Sequence, residues 1–364
     1  MTASAYPATR GRAILMALAA AALFGLSTPA AKALLALSEP ALLAGLLYLG
    51  SGVGLGLLHL VQRRRPGLAP REATIPKTGW PWLALAIAAG GVAGPLLLML
   101  GLAWGTASEV ALLLNLESVF TAGLAWGVFR EHVDRRIGVG MAAVTAGAVA
   151  LAFEGWHVRL SASAVLVAGA CAAWALDNNV TRKVATSDPL QIVALKGLVA
   201  GAVNTGIAVG LGARLPGAWA LVGAAVVGFL GYGVSLVLFV LALRHLGTAR
   251  AGAYFSTAPF LGALASVLVL GDPVTPRLAV AAVLMAIGVW LHATERHHHD
   301  HVHAWLEHDH AHHHDAHHQH AHPSGVPSGE PHAHPHRHTD LRHEHPHYPD
   351  VHHRHEHRGR QAGS

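Results

Sequence analysis

A carboxylate inside an apolar run is the first residue that demands an account. Glu117 lies near the middle of segment 108–129, otherwise rich in Leu, Ala, Val and Gly, with Asn115 two residues before it and Ser118 beside it. An ionisable group at membrane depth costs about 2.5–3.5 kcal/mol on insertion scales, so such groups are paired or functional. Glu117 can exchange a proton, coordinate a cation or hold an amino group. The bland alternative is a protonated side chain hydrogen-bonded to a neighbouring helix. Asp177, Asn178 and Asn179 form a second polar cluster, and Lys196 falls at a similar depth in the following run. Two adjacent antiparallel helices would set Asp177 against Lys196 as a neutralising pair. That pair is equally compatible with a structural role or with a place at the headgroup level. Asn204 and Thr257 are further candidates for the wall of a polar cavity.

The other concentration of chemistry is at the C-terminal end. Of the 30 histidines, all but His59, His132, His157, His245 and His292 fall within 297–357. Neutral imidazole ligates Zn²⁺, Ni²⁺ and Co²⁺, and interspersed Asp and Glu add oxygen donors. Candidate metal ligands are His297, His298, His299, His301, His303, His312, His313, His314, His317 and His318. Few apolar residues accompany them, so a disordered tail is expected over 294–364. The competing reading is a low-complexity expansion that binds metal without serving anything. Binding through imidazole should weaken on acidification.

These residues need elements to hold them. The chain has 364 residues, 52% hydrophobic and 12% charged, against about a quarter charged in soluble proteins; mean hydropathy is +0.41 in spite of the tail. Apolar runs of about 20 residues are membrane spans. Ten are predicted, at 13–33, 41–62, 81–103, 108–129, 135–153, 161–181, 190–212, 218–241, 248–271 and 275–293. This excludes a soluble enzyme and a single-span anchor. The lone Cys171 rules out a disulfide framework. Trp82, Trp104, Trp156 and Trp219 fall near span ends, as interfacial belt residues do. Gly197/Gly201 and Gly206/Gly210 have the four-residue spacing of close helix contacts.

Lys and Arg orient the bundle. With the N-terminus in the cytoplasm, the internal connections hold Arg10, Arg12, Arg63, Arg64, Arg65, Arg71, Lys77, Arg130, Arg135, Arg136, Arg182, Lys183, Arg244 and Arg250. The external ones hold Lys32, Arg159, Arg214 and Arg277. That bias places both termini in the cytoplasm and the chain in the cytoplasmic membrane as a multi-pass protein. It also accounts for the net charge of +5 without nucleic acid.

The two halves repeat. Lys32 corresponds to Arg182, Ser38-Glu39-Pro40 to Ser187-Asp188-Pro189, Thr106-Ala107 to Thr248-Ala249, Glu131 to Asp272, and Gly147 to Gly288. Five spans per half is an odd number, so the second copy is inverted, an architecture of secondary transporters. The expected domains are a cytoplasmic segment 1–12, repeats 13–153 and 154–293, and the tail 294–364. The fold class is therefore an all-α polytopic membrane protein, with ten helices in two inverted five-helix repeats.

Thr106 to Glu131 and its counterpart Thr248 to Asp272 each read as a small-residue start, an apolar helix with a bending position, then an acidic residue. On these stretches the chain resembles the EamA-type ten-span exporters of the drug/metabolite transporter superfamily, over about residues 12–293. Pro259 stands where that family usually has proline; Glu117 at the equivalent position of the first half departs from the pattern. The resemblance implies a transporter, with export as the direction, and leaves the solute open.

No GxxxxGK[ST] phosphate loop occurs, so drive by a solute or proton gradient is expected rather than ATP hydrolysis. No nucleophile–base pair suggests an enzyme. Three functions compete: an exporter of Ni, Co or Zn with the tail as loading element, an exporter of organic metabolites, amino acids or drugs with the tail as a metal buffer, and a membrane-anchored metal sensor or store. No cofactor is required beyond metal on the tail, and the partners are the lipid bilayer and a small solute or metal ion. A homodimer is compatible with all three.

Overall fold

The computed structural model describes residues 6–64, 75–128, 135–152, 161–181, 183–184, 187–246 and 248–293, together with 300–302, 306–312, 332–338 and 342–344. The helices from Tyr6 to Ala293 fall into ten rods. They are α1 (Tyr6–Leu34), α2 (Pro40–Arg64), α3 (Trp80–Ala86) with α4 (Gly94–Trp104), α5 (Ala107–Leu113) with α6 (Leu116–Gly127), and α7 (Arg135–Ala152). The second set is α8 (Ala162–Thr181), α9 (Pro189–Gly210), α10 (Ala218–Val227) with α11 (Ser235–Leu246), α12 (Thr248–Phe255) with α13 (Ala258–Ala265), and α14 (Pro276–Ala293). Eight helical stretches among the described residues are long and apolar enough to cross a membrane, with Pro276–Leu291 a shorter apolar one.

The third and fourth rods of each half depart from straight α-helix at matching places. A π-helical stretch, Ile87–Ala93, joins α3 to α4, and another, Gly228–Val234, joins α10 to α11. Single-turn π segments cluster at functional sites. The fourth rod breaks at Leu114-Asn115, and the ninth at Ser256-Thr257. A bending position was expected in each of these spans, at Glu117 and at Pro259, and the breaks lie just before them. Pro259 accounts for the second break, since it cannot donate to the preceding turn. In the first, polar groups stand in for proline: Asn115 Nδ2 donates to Leu112 O at 2.8 Å, and Ser118 Oγ to Asn115 O at 2.7 Å.

Contacts follow the inverted relation. α2 packs on α9 and α7 on α14, each element against its own counterpart; α1 packs on α11 and α13 as α8 packs on α4 and α6. Glycine permits these crossings. A Cβ at Gly52 or Gly197 would strike the facing backbone, and across the α7–α14 seam Gly147 lies against Ala281 and Met285 while Gly288 lies against Gly140 and Val144. Of the two spaced glycine pairs, Gly197 and Gly201 lie in the α2–α9 seam, whereas Gly206 and Gly210 meet open space. The main core gathers Leu98, Met99, Leu102, Val110, Leu112, Val144 and Met285, all almost fully buried.

The tail was expected as wholly disordered, and the described residues correct this in part. β1 (Asp300–Val302) pairs with β4 (Arg342–Glu344), and β2 (Leu306–His312) with β3 (His332–His338), both antiparallel. Backbone hydrogen bonding, not apolar burial, makes these pairs, which is why hydrophobicity did not announce them. Of the candidate metal ligands, His301 and His312 lie on strands. His297, His298, His299, His303, His313, His314, His317 and His318 lie outside the described residues.

Candidate functional site

The break between α5 and α6 sits halfway along its rod and carries Glu117 at its edge. Glu117 Oε1 accepts from Asn178 Nδ2 of α8 at 2.7 Å. Glu117 is half-buried, Ser118 beside it is exposed mid-rod, and Asn178, one turn from the end of α8, is exposed as well. Their polar groups therefore border an opening in the bundle. At the break, Leu113 O and Leu114 O lie 3.6 and 3.9 Å from Cys171 Sγ, and Leu114 O also accepts from Glu117 N at 3.1 Å. Asn115 itself is buried and also approaches Met285 Sδ at 3.8 Å, so it shapes the break rather than the cavity.

One turn away, Asp177 is neutralised. Lys196 Nζ lies 2.7 Å from Asp177 Oδ1 and 2.5 Å from Oδ2, and Thr181 Oγ1 donates to Oδ1 at 2.8 Å. The pair is mostly buried, with side-chain exposures of 17% for Lys196 and 8% for Asp177. Across from it, a Cβ on Gly90 would occupy the space of the Asp177 carboxylate. Glycine is needed there for close approach, which is why the π-helical stretch contains Gly90-Gly91. Gly90 O accepts from Tyr48 Oη at 3.0 Å and Trp174 Nε1 at 2.8 Å. Asn204 Nδ2 reaches Gly91 O and Val92 O, both at 3.3 Å. The carbonyls that the π-helical geometry leaves off register are thus met by side chains from three other rods.

An aromatic wall runs from the site across the bundle. Tyr48 stacks near Tyr232 at 5.7 Å between centroids, Tyr232 near Phe24 at 5.9 Å, Phe24 near Phe255 at 5.5 Å, and Phe255 near Phe239 at 4.6 Å. Tyr48 is within Coulombic reach of both Glu117 and Asp177. Among the described residues, the site holds Glu117, hydrogen-bonded to an amide and reached by the Lys196 charge from the neighbouring Asp177 pair, together with amides and aromatic faces.

Sequence reasoning selected Glu117, Asn178, Asp177 and Lys196, and the structure brings these four together. Thr257 stands apart: its Oγ1 donates to Tyr254 O at 2.7 Å, satisfying its own helix break. Tyr48, Trp174 and Gly90 were missed. A Gly-Gly pair inside an apolar span was the available signal for the last; nothing in the spacing marks Tyr48.

The end of the bundle near Lys32 is closed. Lys32 Nζ donates to Leu102 O at 2.6 Å and Gly105 O at 2.8 Å, tying α1 to the end of α4. Asp272 Oδ2 accepts from Ser108 N at 2.7 Å, tying the second half to the start of α5. Gly271, at φ +72°, makes the left-handed turn that delivers Asp272 there. Lys32 and Asp272 attract one another through space. Here α5 packs against α13 and α1, whereas α12 and α6, the inverted counterparts of α5 and α13, make at most marginal contact among the described residues. The two halves have like folds but unlike packing: the rods are tied together at the Lys32 end, and the equivalent helix contact in the other half is at most marginal among the described residues.

The chain is 29% identical over 228 residues to an uncharacterized transporter of Methanothermobacter thermautotrophicus, a match covering 60% of this chain and 66% of that relative's length. A solved crystal structure, 17% identical, superposes with a TM-score of 0.57 over 77% of this chain and 94% of that one, which supports the fold. Residues 11–153 and 161–294 each match the EamA-like transporter family. Two matched copies, each containing one broken rod and one π-helical rod around a shared cavity, lead to one conclusion: the chain belongs to the EamA-like transporter family.

Proposed function

We propose that this membrane transporter is a secondary exporter of small organic solutes bearing a positively charged nitrogen, seated in the cytoplasmic membrane with both termini inside. Glu117 holds the nitrogen or, in its place, the coupling proton. The observation that carries this reading is the charge of the site: Lys196 is held in an ion pair by Asp177, and Glu117, hydrogen-bonded to an amide, has no ion pair of its own among the described residues and feels Lys196 only from that neighbouring pair. A carboxylate beside aromatic faces suits an ammonium group, through ion pairing and cation–π attraction. Competition between proton and amine for one carboxylate couples their movements without ATP.

A second reading, export of Ni, Co or Zn with the tail as loading element, is favoured by the strand register. His301 stands opposite His343, His308 opposite His336, His310 opposite His334 and His312 opposite His332. Such pairing supplies imidazoles in twos. Within the bundle, no group of three or more His, Cys, Asp or Glu suited to a metal occurs among the described residues, which ranks this reading second.

The test uses cells expressing the intact chain, Glu117→Gln, or a form ending at Arg296, with equal amounts in the membrane. Efflux of a panel of labelled amines and of Ni, Co and Zn is followed in parallel. Amine efflux lost in Glu117→Gln and retained after truncation supports the first reading. Metal efflux weakened by truncation supports the second. Amine efflux by Glu117→Gln at the parent rate would refute the role of Glu117.

A further inference from the structure

A groove of about 480 Å³ runs between the third and seventh rods on the outside of the bundle, away from the cavity. One wall is Trp80, Leu83 and Ile87; the other is Leu195, Val199 and Val203. On α9 these residues recur every four positions, a straight apolar stripe along one helix face. Ala84 and Ala88 leave the space on the facing rod, and the π-helical stretch at Ile87–Ala93 widens that rod where the groove deepens. Trp80, Val199 and Val203 are exposed. From Trp80 to Val92, the groove follows about 18 Å of helix, a little over one leaflet of a ~30 Å hydrocarbon core.

Lys77, in the turn leading into α3, and Lys183, just beyond α8, are exposed, and Lys183 Nζ stands 5.9 Å from the centre of the Trp82 ring. Trp80, 48% exposed, lines the groove, and Trp82, 41% exposed, lies on the same turn outside it, both placed as interfacial aromatics are. Lysines at headgroup level above a hydrocarbon groove are complementary to one kind of molecule.

We propose that this groove is a binding site for an anionic phospholipid of the leaflet at the basic end, with one acyl chain along Leu83, Ile87, Val199 and Val203 and the headgroup drawn to the exposed Lys77 and Lys183 beyond its Trp80 end. The groove offers no polar group to recognise a water-soluble solute, and its concave shape fits a chain better than the convex side of a second copy. The lipid occupies a place that couples to the transport site: Lys196 neighbours Leu195 on α9, and the π-helical wall carries the Gly90 carbonyl that Tyr48 and Trp174 hold. A seated acyl chain braces the two rods that present these groups.

The full chain, purified in a non-ionic detergent, is titrated with phosphatidylglycerol and with phosphatidylcholine of the same acyl chains. Bound lipid is counted by native mass spectrometry, and melting is followed in parallel. Phosphatidylglycerol should bind roughly five- to thirtyfold more tightly at low salt, from two lysines near the headgroup, and the difference should shrink as salt rises. The Lys77→Gln/Lys183→Gln double variant should bind both lipids alike. Val199→Phe, which fills the groove, should lose one lipid of either kind, while Val280→Phe, on a different exposed face, should keep it. Equal binding of the two lipids by the parent chain, an anionic preference that survives loss of both lysines, or an unchanged count in Val199→Phe each overturns the proposal.

Discussion

Replacing Lys32 by Met should open the closed end of the bundle. Lys32 donates to Leu102 O and Gly105 O at 2.6 and 2.8 Å and faces the Asp272 carboxylate that caps α5. A hydrogen bond from a charged donor contributes about 1.5–3 kcal/mol net. The carbonyls at a helix end find water once the end opens, so only a part of the two-bond sum is lost on opening. Taking about 1.5–3 kcal/mol for the whole contact, the ratio of closed to open molecules falls roughly ten- to hundredfold. Spin labels on Trp104→Cys and Val274→Cys, both highly exposed at that end (69% and 67%), report the gap, with Cys171→Ser removing the buried native thiol. Lys32→Met should add a longer distance to the distribution. Removing a half-buried charge can also tighten packing. A distribution that stays short or narrows, in protein that still melts cooperatively, would refute the view that Lys32 holds this end shut.

Three other substitutions probe the site. Lys196→Met leaves Asp177 buried without its cation and should cost about 3–5 kcal/mol; adding Asp177→Asn should recover most of the lost melting temperature, and no recovery would argue against a neutralising pair. Gly90→Ala puts a methyl where the Asp177 carboxylate lies, so a loss of about 1–3 kcal/mol is expected, seen as a lower Tm. Gly201→Leu, in the α2–α9 seam, should abolish folding into detergent-stable protein, whereas Gly206→Leu, facing open space, should be tolerated; equal behaviour of the two on size-exclusion chromatography would contradict the seam.

Much of this protein could be read from its residues in order. Apolar runs of bilayer length locate the rods because lipid leaves the backbone no partner but its own helix. The correspondence of Lys32 with Arg182 and Gly147 with Gly288 reveals inverted halves, since five spans per half reverse direction. Glu117, Asp177 and Lys196 stand out because charge is scarce in such runs. All of these are local or periodic properties, fixed by composition and spacing.

The tertiary structure decided what depends on distance between rods. The sequence marks a bending position in Thr106–Glu131, and only the fold places the break at Leu114-Asn115, where Cys171 from another rod meets Leu113 O and Leu114 O. Asp177 and Glu117 are chemically alike in sequence; packing gives the first a lysine within an ion pair and the second an amide hydrogen bond. Thr257 resembles a cavity residue until its hydroxyl is seen bonded to its own turn. The difference between two nearly equivalent halves, α5 packed on α13 while α12 stands off α6, belongs to no single residue. It is set by packing between rods and by long-range hydrogen bonds such as those of Lys32 and Asp272, which join residues 70 or more positions apart.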